Sequence, residues 1–199
     1  HVKVASSFIS HEQAALNLKT EIGNDTFEQT KEKAKQAWET ELNRIVIEDD
    51  NLDNVRTFYS CLYRVLLFPR KFYEYDANGN VVHYSPYNGE VLPGYMFTDN
   101  GFWDTFRAVF PFFKGNMAEK DVEILLEAVL KNANENAGRP VNSVGRAGVD
   151  YYNALGYVPY NVGINENAAR TLEYAFADFT IAKMADKLGN AELSETYLK

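Results

Sequence analysis

The chain is 199 residues long, with 46% hydrophobic and 24% charged residues and a formal net charge of −8 at pH 7. That composition is ordinary for a globular protein with a sizeable core, and the acidic field repels phosphate backbones, so nucleic acid is not an expected partner. No apolar run approaches the roughly 20 residues that span a bilayer; because the sequence begins at His1 rather than Met, removal of a leader or an upstream domain is expected.

Residues Val2-Lys3-Val4-Ala5-Ser6-Ser7-Phe8 alternate and are β-prone, which predicts a strand whose partners lie elsewhere. Ser10 stands three residues before Gln13, a capping-box spacing, and opens a helix that Gly23 closes. A second, strongly charged helix is predicted from about Asp25 to Leu42, with Phe27, Ala34, Trp38 and Leu42 as a thin apolar stripe, in the manner of a connector. Arg44-Ile45-Val46-Ile47-Glu48 reads as a brief strand.

Residues 52–68 predict a helix with Val55, Phe58, Tyr59, Leu62, Leu66 and Leu67 inward, ended by Pro69. Cys61 is alone, so it excludes an internal disulfide, and its setting beside Leu62 predicts a buried position. Phe72–Tyr75 and Val81–Tyr84 flank Asp76-Ala77-Asn78-Gly79-Asn80, a hairpin signal. A calcium loop is the lesser reading, because its glycine falls at the fourth position and Tyr87 stands where a glutamate is needed. A loop rich in Pro, Gly and Tyr (85–97) leads to a helix running to about Phe113, and further helices are expected at 118–136, 146–155 and 166–188, the last closed by Gly189. Helices joined by long loops with small β pieces predict a mainly α toroid or bundle with its site at the loop end.

The densest chemistry lies in Thr98-Asp99-Asn100-Gly101-Phe102-Trp103-Asp104-Thr105-Phe106-Arg107. An indole face beside fixed acceptors and donors can hold a sugar ring, its C–H face on the aromatic plate and its hydroxyls on the polar groups. The competing reading makes Asp99 a helix cap and Trp103, Phe106 and Phe110 plain core. The three histidines are scattered and spell no zinc site. Neither Ser143-Val144-Gly145 nor Gly145-Arg146-Ala147-Gly148 matches a nucleophile elbow or a nucleotide loop; the latter reads as a close-packed helix entry. Five carboxylates, Asp99, Asp104, Glu166, Glu173 and Asp178, lie in aromatic-rich surroundings. Arg170 and Glu173 are spaced to pair at i, i+3, and Asp178 reads alternatively as a solvated helix carboxylate.

Four motifs in order carry a family resemblance: Arg56-Thr57-Phe58-Tyr59-Ser60-Cys61-Leu62-Tyr63-Arg64, Gly101-Phe102-Trp103-Asp104-Thr105-Phe106-Arg107, Leu155-Gly156-Tyr157-Val158-Pro159, and Ala169-Arg170-Thr171-Leu172-Glu173-Tyr174-Ala175 with Asp178. Together they resemble glycoside hydrolase family 92, exo-acting α-mannosidases of largely bacterial origin. The resemblance implies an N-terminal β-sandwich followed by an (α/α)6 toroid, hydrolysis of terminal α-linked mannose with inversion, and a calcium cofactor that helps distort the sugar. On that basis residues 1–23 correspond to the end of the sandwich, 24–50 to a helical linker and 51–199 to an incomplete catalytic toroid.

By matching position, Trp103 and Asp104 are carried over as contacts to mannose, with Arg107 and Glu173 supporting the pocket. Two departures stand out. After Phe113 the family continues through a Trp-Leu-Pro-Glu/Lys-Trp-type segment that supplies the general acid, whereas here Lys114-Gly115-Asn116 follows directly. The chain also ends at Lys199, before the family's calcium segment and the loop that carries the general base. The expectation is a fragment of a periplasmic, cell-surface or secreted α-mannosidase, acting on mannose-containing glycans when intact and inactive alone. Alternatives are another (α/α)6 glycosidase or lyase, and a non-catalytic glycan-binding module on the same helices.

Overall fold

A computed structural model of the chain describes residues 2–100, 109–134 and 145–198. It is mainly helical, with short strands confined to residues 70–98. The chain divides into two compact units, His1–Tyr84 with Val91–Asn100, and Ser85–Glu90 with Gly101–Lys199.

The first unit opens with an extended segment. Residues 2–8 were expected as a strand, but no described strand pairs with them. Side chains hold the segment instead: the Glu74 carboxylate accepts from the Ser7 hydroxyl at 2.9 Å and the Phe8 amide at 2.8 Å, and Phe8 packs on Phe72 with ring centroids 4.3 Å apart. Helix α1 (His11–Asn17) starts as the sequence predicts, with the Ser10 hydroxyl accepting from the Gln13 amide at 3.1 Å. The Gln13 side chain does not close the capping box; it donates to Asn17 and to the Tyr75 carbonyl. A π-helical turn (Leu18–Ile22) follows and ends at Gly23, whose φ of 50° is open to glycine.

Helix α2 (Phe27–Leu42) carries a full capping box between Thr26 and Gln29. Helix α3 (Leu52–Val65) packs on it through Trp38 and Tyr63, 4.6 Å between centroids. α3 stops three residues earlier than expected, because the position before Pro69 disfavours helical backbone and the last turn unwinds ahead of it. Leu62 is buried as predicted, but Cys61 is exposed, one residue and hence about 100° of helix away. The strand expected at 44–48 is absent as well; the Ile45 carbonyl accepts instead from the Tyr59 hydroxyl on α3, 3.2 Å away.

Two small antiparallel sheets complete this unit. Strand β1 (Arg70–Lys71) pairs with β5 (Phe97–Thr98), while β2 (Glu74–Tyr75), β3 (Val81–Tyr84) and β4 (Val91–Pro93) form a second sheet in that order. The predicted hairpin is in register, Glu74 facing Val82 and Tyr75 facing Val81. Its turn is built by Asp76, whose Oδ1 accepts from the amides of Asn78 and Asn80, both at 2.8 Å. Those bonds hold the Asp76 carboxyl below its ordinary range, the Asn80 side-chain bond contributing most.

The second unit is helical: α4 (Val109–Asn116), α5 (Glu119–Asn134), α6 (Val149–Leu155), α7 (Asn167–Lys187) and α8 (Ala191–Tyr197). Its core follows the 3.6-residue period. Val122, Leu126 and Ala133 of α5 meet Ile181 and Met184 of α7, with Leu193 and Tyr197 of α8 packed against them. Glycine punctuates the helices, since α6 runs between Gly148 and Gly156 in left-handed conformation and α7 ends before Gly189. Helix α8 was not foreseen; the Asn190 side chain caps it by accepting from the Leu193 amide at 3.0 Å. The tip residues Ser85–Glu90 belong to this unit, where the Tyr87 hydroxyl meets the Asn132 side-chain amide at 3.2 Å.

Candidate functional site

The chemistry of the described residues concentrates on the first half of α7 and the Gly145–Gly148 turn. On α7 the helical period places Ala169, Arg170 and Glu173 along one side, and with Glu166 just ahead of the helix they line a pocket of about 420 Å³ together with Gly145, Arg146 and Tyr174. Gly145 is required at the rim: its φ is +69°, and a Cβ there would sit 2.9 Å from a ring carbon of Tyr87. Gly148 behind it holds φ +78°, a left-handed backbone that favours glycine, and a Cβ there would also crowd the end of the Ile164 side chain at 2.6 Å and Val158 at 3.0 Å. The reading of this turn as a close-packed helix entry therefore holds.

Between those glycines lies Arg146, whose side chain is only 3% exposed. One guanidinium nitrogen donates to Asp178 Oδ1 at 2.7 Å, and the guanidinium carbon lies 5.2 Å from the Tyr174 ring centroid. Asp178 is thus half of a buried ion pair, not a solvated helix carboxylate, and its side chain is 17% exposed. Tyr152 donates its hydroxyl to the same carboxylate, and its ring meets Tyr174 edge-on at 5.4 Å. Burial first, then the Asp178 charge, pushes the Tyr152 hydroxyl up to about 12 from its ordinary 10.0, with Arg146 working the other way. Tyr174 closes the network by donating to the Ala147 carbonyl at 3.1 Å. One polar atom among the described residues is left over: Arg146 Nε is buried without a hydrogen-bond partner.

Arg170 turns the other way from the sequence expectation. It does not pair with Glu173; its Nε donates to the Asn165 carbonyl at 2.9 Å and a second nitrogen lies 3.6 Å from Glu166 Oε2. Glu166 precedes the first turn of α7 with φ 58°, so the backbone turns its side chain back within reach of Arg170. Glu173 is left half-buried at the cavity wall.

Of the residues singled out from sequence, Glu166 and Glu173 are brought to one cavity, and Asp178 lies behind it in the ion pair with Arg146. Asp99 belongs to the other compact unit, where its carboxylate meets Arg70 at 2.8 Å with φ 64°. Trp103, Asp104 and Arg107 lie outside the described residues. Arg146 and Tyr152 were missed by sequence reasoning; the flanking glycines were the available sign that a buried side chain stood between them. Among the described residues no three His, Cys, Asp or Glu side chains converge into a cluster that could hold a metal ion.

A profile of the glycosyl hydrolase family 92 catalytic domain matches residues 13–121 and 112–199, nearly the whole chain. The chain belongs to glycosyl hydrolase family 92. Solved family 92 structures agree with it. An inverting mannosidase of family 92 from Bacteroides thetaiotaomicron VPI-5482 is 39% identical with a TM-score of 0.61, over 96% of this chain and 33% of that one. A family 92 α-mannosidase from Bacteroides thetaiotaomicron shares the fold at 23% identity and TM-score 0.53, over 96% of this chain and 31% of its own. The chain thus spans about a third of the length of these family 92 enzymes. No curated protein matches it.

Proposed function

We propose that this chain is part of an exo-acting α-mannosidase that hydrolyses terminal α-linked mannose with inversion. The observation that carries the reading is the cavity, whose carboxylates and guanidiniums suit a polyhydroxylated ligand, in a chain of a family whose 39%-identical member is an inverting mannosidase. In this reading residues 1–23 end a β-sandwich, 24–50 are a linker and 51–199 are part of an (α/α)6 toroid. Trp103 supplies the aromatic plate under the ring, Asp104 and Arg107 bind hydroxyls, and Glu173 contacts the sugar from α7. The parent protein works outside the cytoplasm, on mannose-containing glycans.

Inversion asks for one carboxylic acid to protonate the leaving oxygen and a second carboxylate, about 6.5–9.5 Å from it, to activate water on the opposite face. We infer that this pair is missing from the 199 residues, so the chain alone does not cleave. The two profile matches overlap at 112–121, which supports placing an omitted family segment at Phe113–Lys114. An aryl α-mannoside with calcium present tests the proposal. The chain alone is expected to release no aryl alcohol, and a longer polypeptide carrying the whole family domain to release it. Turnover by the chain alone overturns the missing-pair inference. Failure of the longer polypeptide on α-mannosides, with cleavage of another glycoside, overturns the substrate.

A further inference from the structure

Glu166 is held in a conformation that its own stability does not explain. Among the described residues only Asp99 and Glu166 have positive φ without being glycine, and a left-handed glutamate is strained. Its ion pair with Arg170 is long, at 3.6 Å, and the Glu166 side chain is 74% exposed, so the pair returns less than the strain takes. Left-handed backbone at a non-glycine residue persists where the surroundings enforce it, and such residues cluster at ligand-binding positions.

Here the surroundings are specific. Arg170 grips both sides of the strained residue, through the Asn165 carbonyl at 2.9 Å and through Glu166 Oε2. Both residues line the cavity, and so does Arg146, nine-tenths buried with its Nε unpartnered. A buried guanidinium N–H without an acceptor, in a residue that lines the pocket, is a polar group the fold alone leaves unsatisfied.

We propose that Glu166 is a ligand-contacting carboxylate of this cavity, accepting from sugar hydroxyls, and that Arg170 is a positioning residue acting through it. The carbohydrate class of the ligand rests on the mannosidase reading; the roles of Glu166 and Arg170 rest on the geometry. A guanidinium suits the task better than an ammonium, because the carbonyl and the carboxylate are reached by different nitrogens of one planar fork. Glu166→Gly separates strain from function, since glycine adopts this backbone freely but carries no carboxylate.

Titration calorimetry of the full 199-residue chain with methyl α-mannoside, methyl α-glucoside and methyl α-galactoside, beside thermal melts, tests the proposal. Glu166→Gly is expected to raise the melting temperature by about 2–4 °C while weakening sugar binding about tenfold or more. Glu166→Asn, which also tolerates left-handed backbone, repeats the affinity loss without the flexibility of glycine. Arg170→Met weakens binding in the wild-type background and has no further effect in Glu166→Gly, the signature of action through that residue. Unchanged affinity in both Glu166 variants overturns the proposal, as does an equal loss from Arg170→Met in either background. Binding of the glucoside or galactoside but not the mannoside, lost on Glu166→Gly, sinks the mannose reading and leaves the Glu166 assignment standing. A chain that binds none of the three sugars overturns both.

Discussion

Arg146 shows how a single side chain can organise a region that no motif announces. It is buried, charged, paired to Asp178 at 2.7 Å and stacked near Tyr174. Removing one partner of a buried pair strands the other charge, so Arg146→Met is expected to destabilise the chain by about 3–5 kcal/mol, read as a shifted urea midpoint with unchanged slope. Tyr152 gives a test by pH. Its folded value of about 12 lies above its ordinary 10.0, so the native state holds the phenolic proton more tightly. Stability from this group is complete below pH 10 and is lost as pH rises toward about 12. Tyr152→Phe should flatten that alkaline fall; melts across this range that superimpose for both proteins would dismiss the bond to Asp178.

Among the elements, the short-range features were the legible ones. The Ser10 cap, the Asp76 turn and Gly189 after α7 all act within a few residues of themselves, and the structure has each where the spacing predicted it, whereas the helix expected to start at residue 146 begins only after Gly148. What escaped the sequence depends on distant partners. The expected strands at 2–8 and 44–48 have β composition but pair with no strand among the described residues. Arg170 could reach either Glu173 or Glu166, and helical spacing alone could not choose between them; the left-handed Glu166 decided it. The pairing of Arg146 with Asp178 joins residues 32 apart, beyond any local pattern. Of the candidate site, Glu173 was found at a cavity, while Trp103, Asp104 and Arg107 fall outside the described residues. At this scale Gly148→Ala is expected to cost about 1–3 kcal/mol, because the new methyl meets Ile164 at 2.6 Å in a backbone at φ 78°. A melt indistinguishable from wild type would mean that the α6 entry relaxes freely.

Across the whole molecule, burial is unequal. Every buried apolar residue described, apart from Leu62, belongs to the helical unit. The first unit relies on hydrogen bonds, aromatic pairs and part-buried faces, and it exposes Val2, Val4, Phe27 and Val46. Hydrogen exchange should therefore be slowest in α5 and α7 and fast through residues 2–98. Equal protection of α3 and α7 would contradict this ranking. Exposed apolar area of this kind also favours association, so light scattering that rises with protein concentration is expected, more so than for a closed domain.

The division of the chain has a consequence for inheritance. The helical unit includes Ser85–Glu90, which lie between β3 and β4 of the other unit, so the polypeptide crosses between the two units at 84–85, 90–91 and 100–101. Neither unit is one unbroken stretch of coding sequence. A recombination event at residue 100 would carry Tyr87 away with the wrong half, leaving Gly145 without the ring it packs on and Asn132 without its hydroxyl. Units joined in this way cannot be shuffled singly; they are passed on together, and changes in the tip must be matched by changes in the helices it serves.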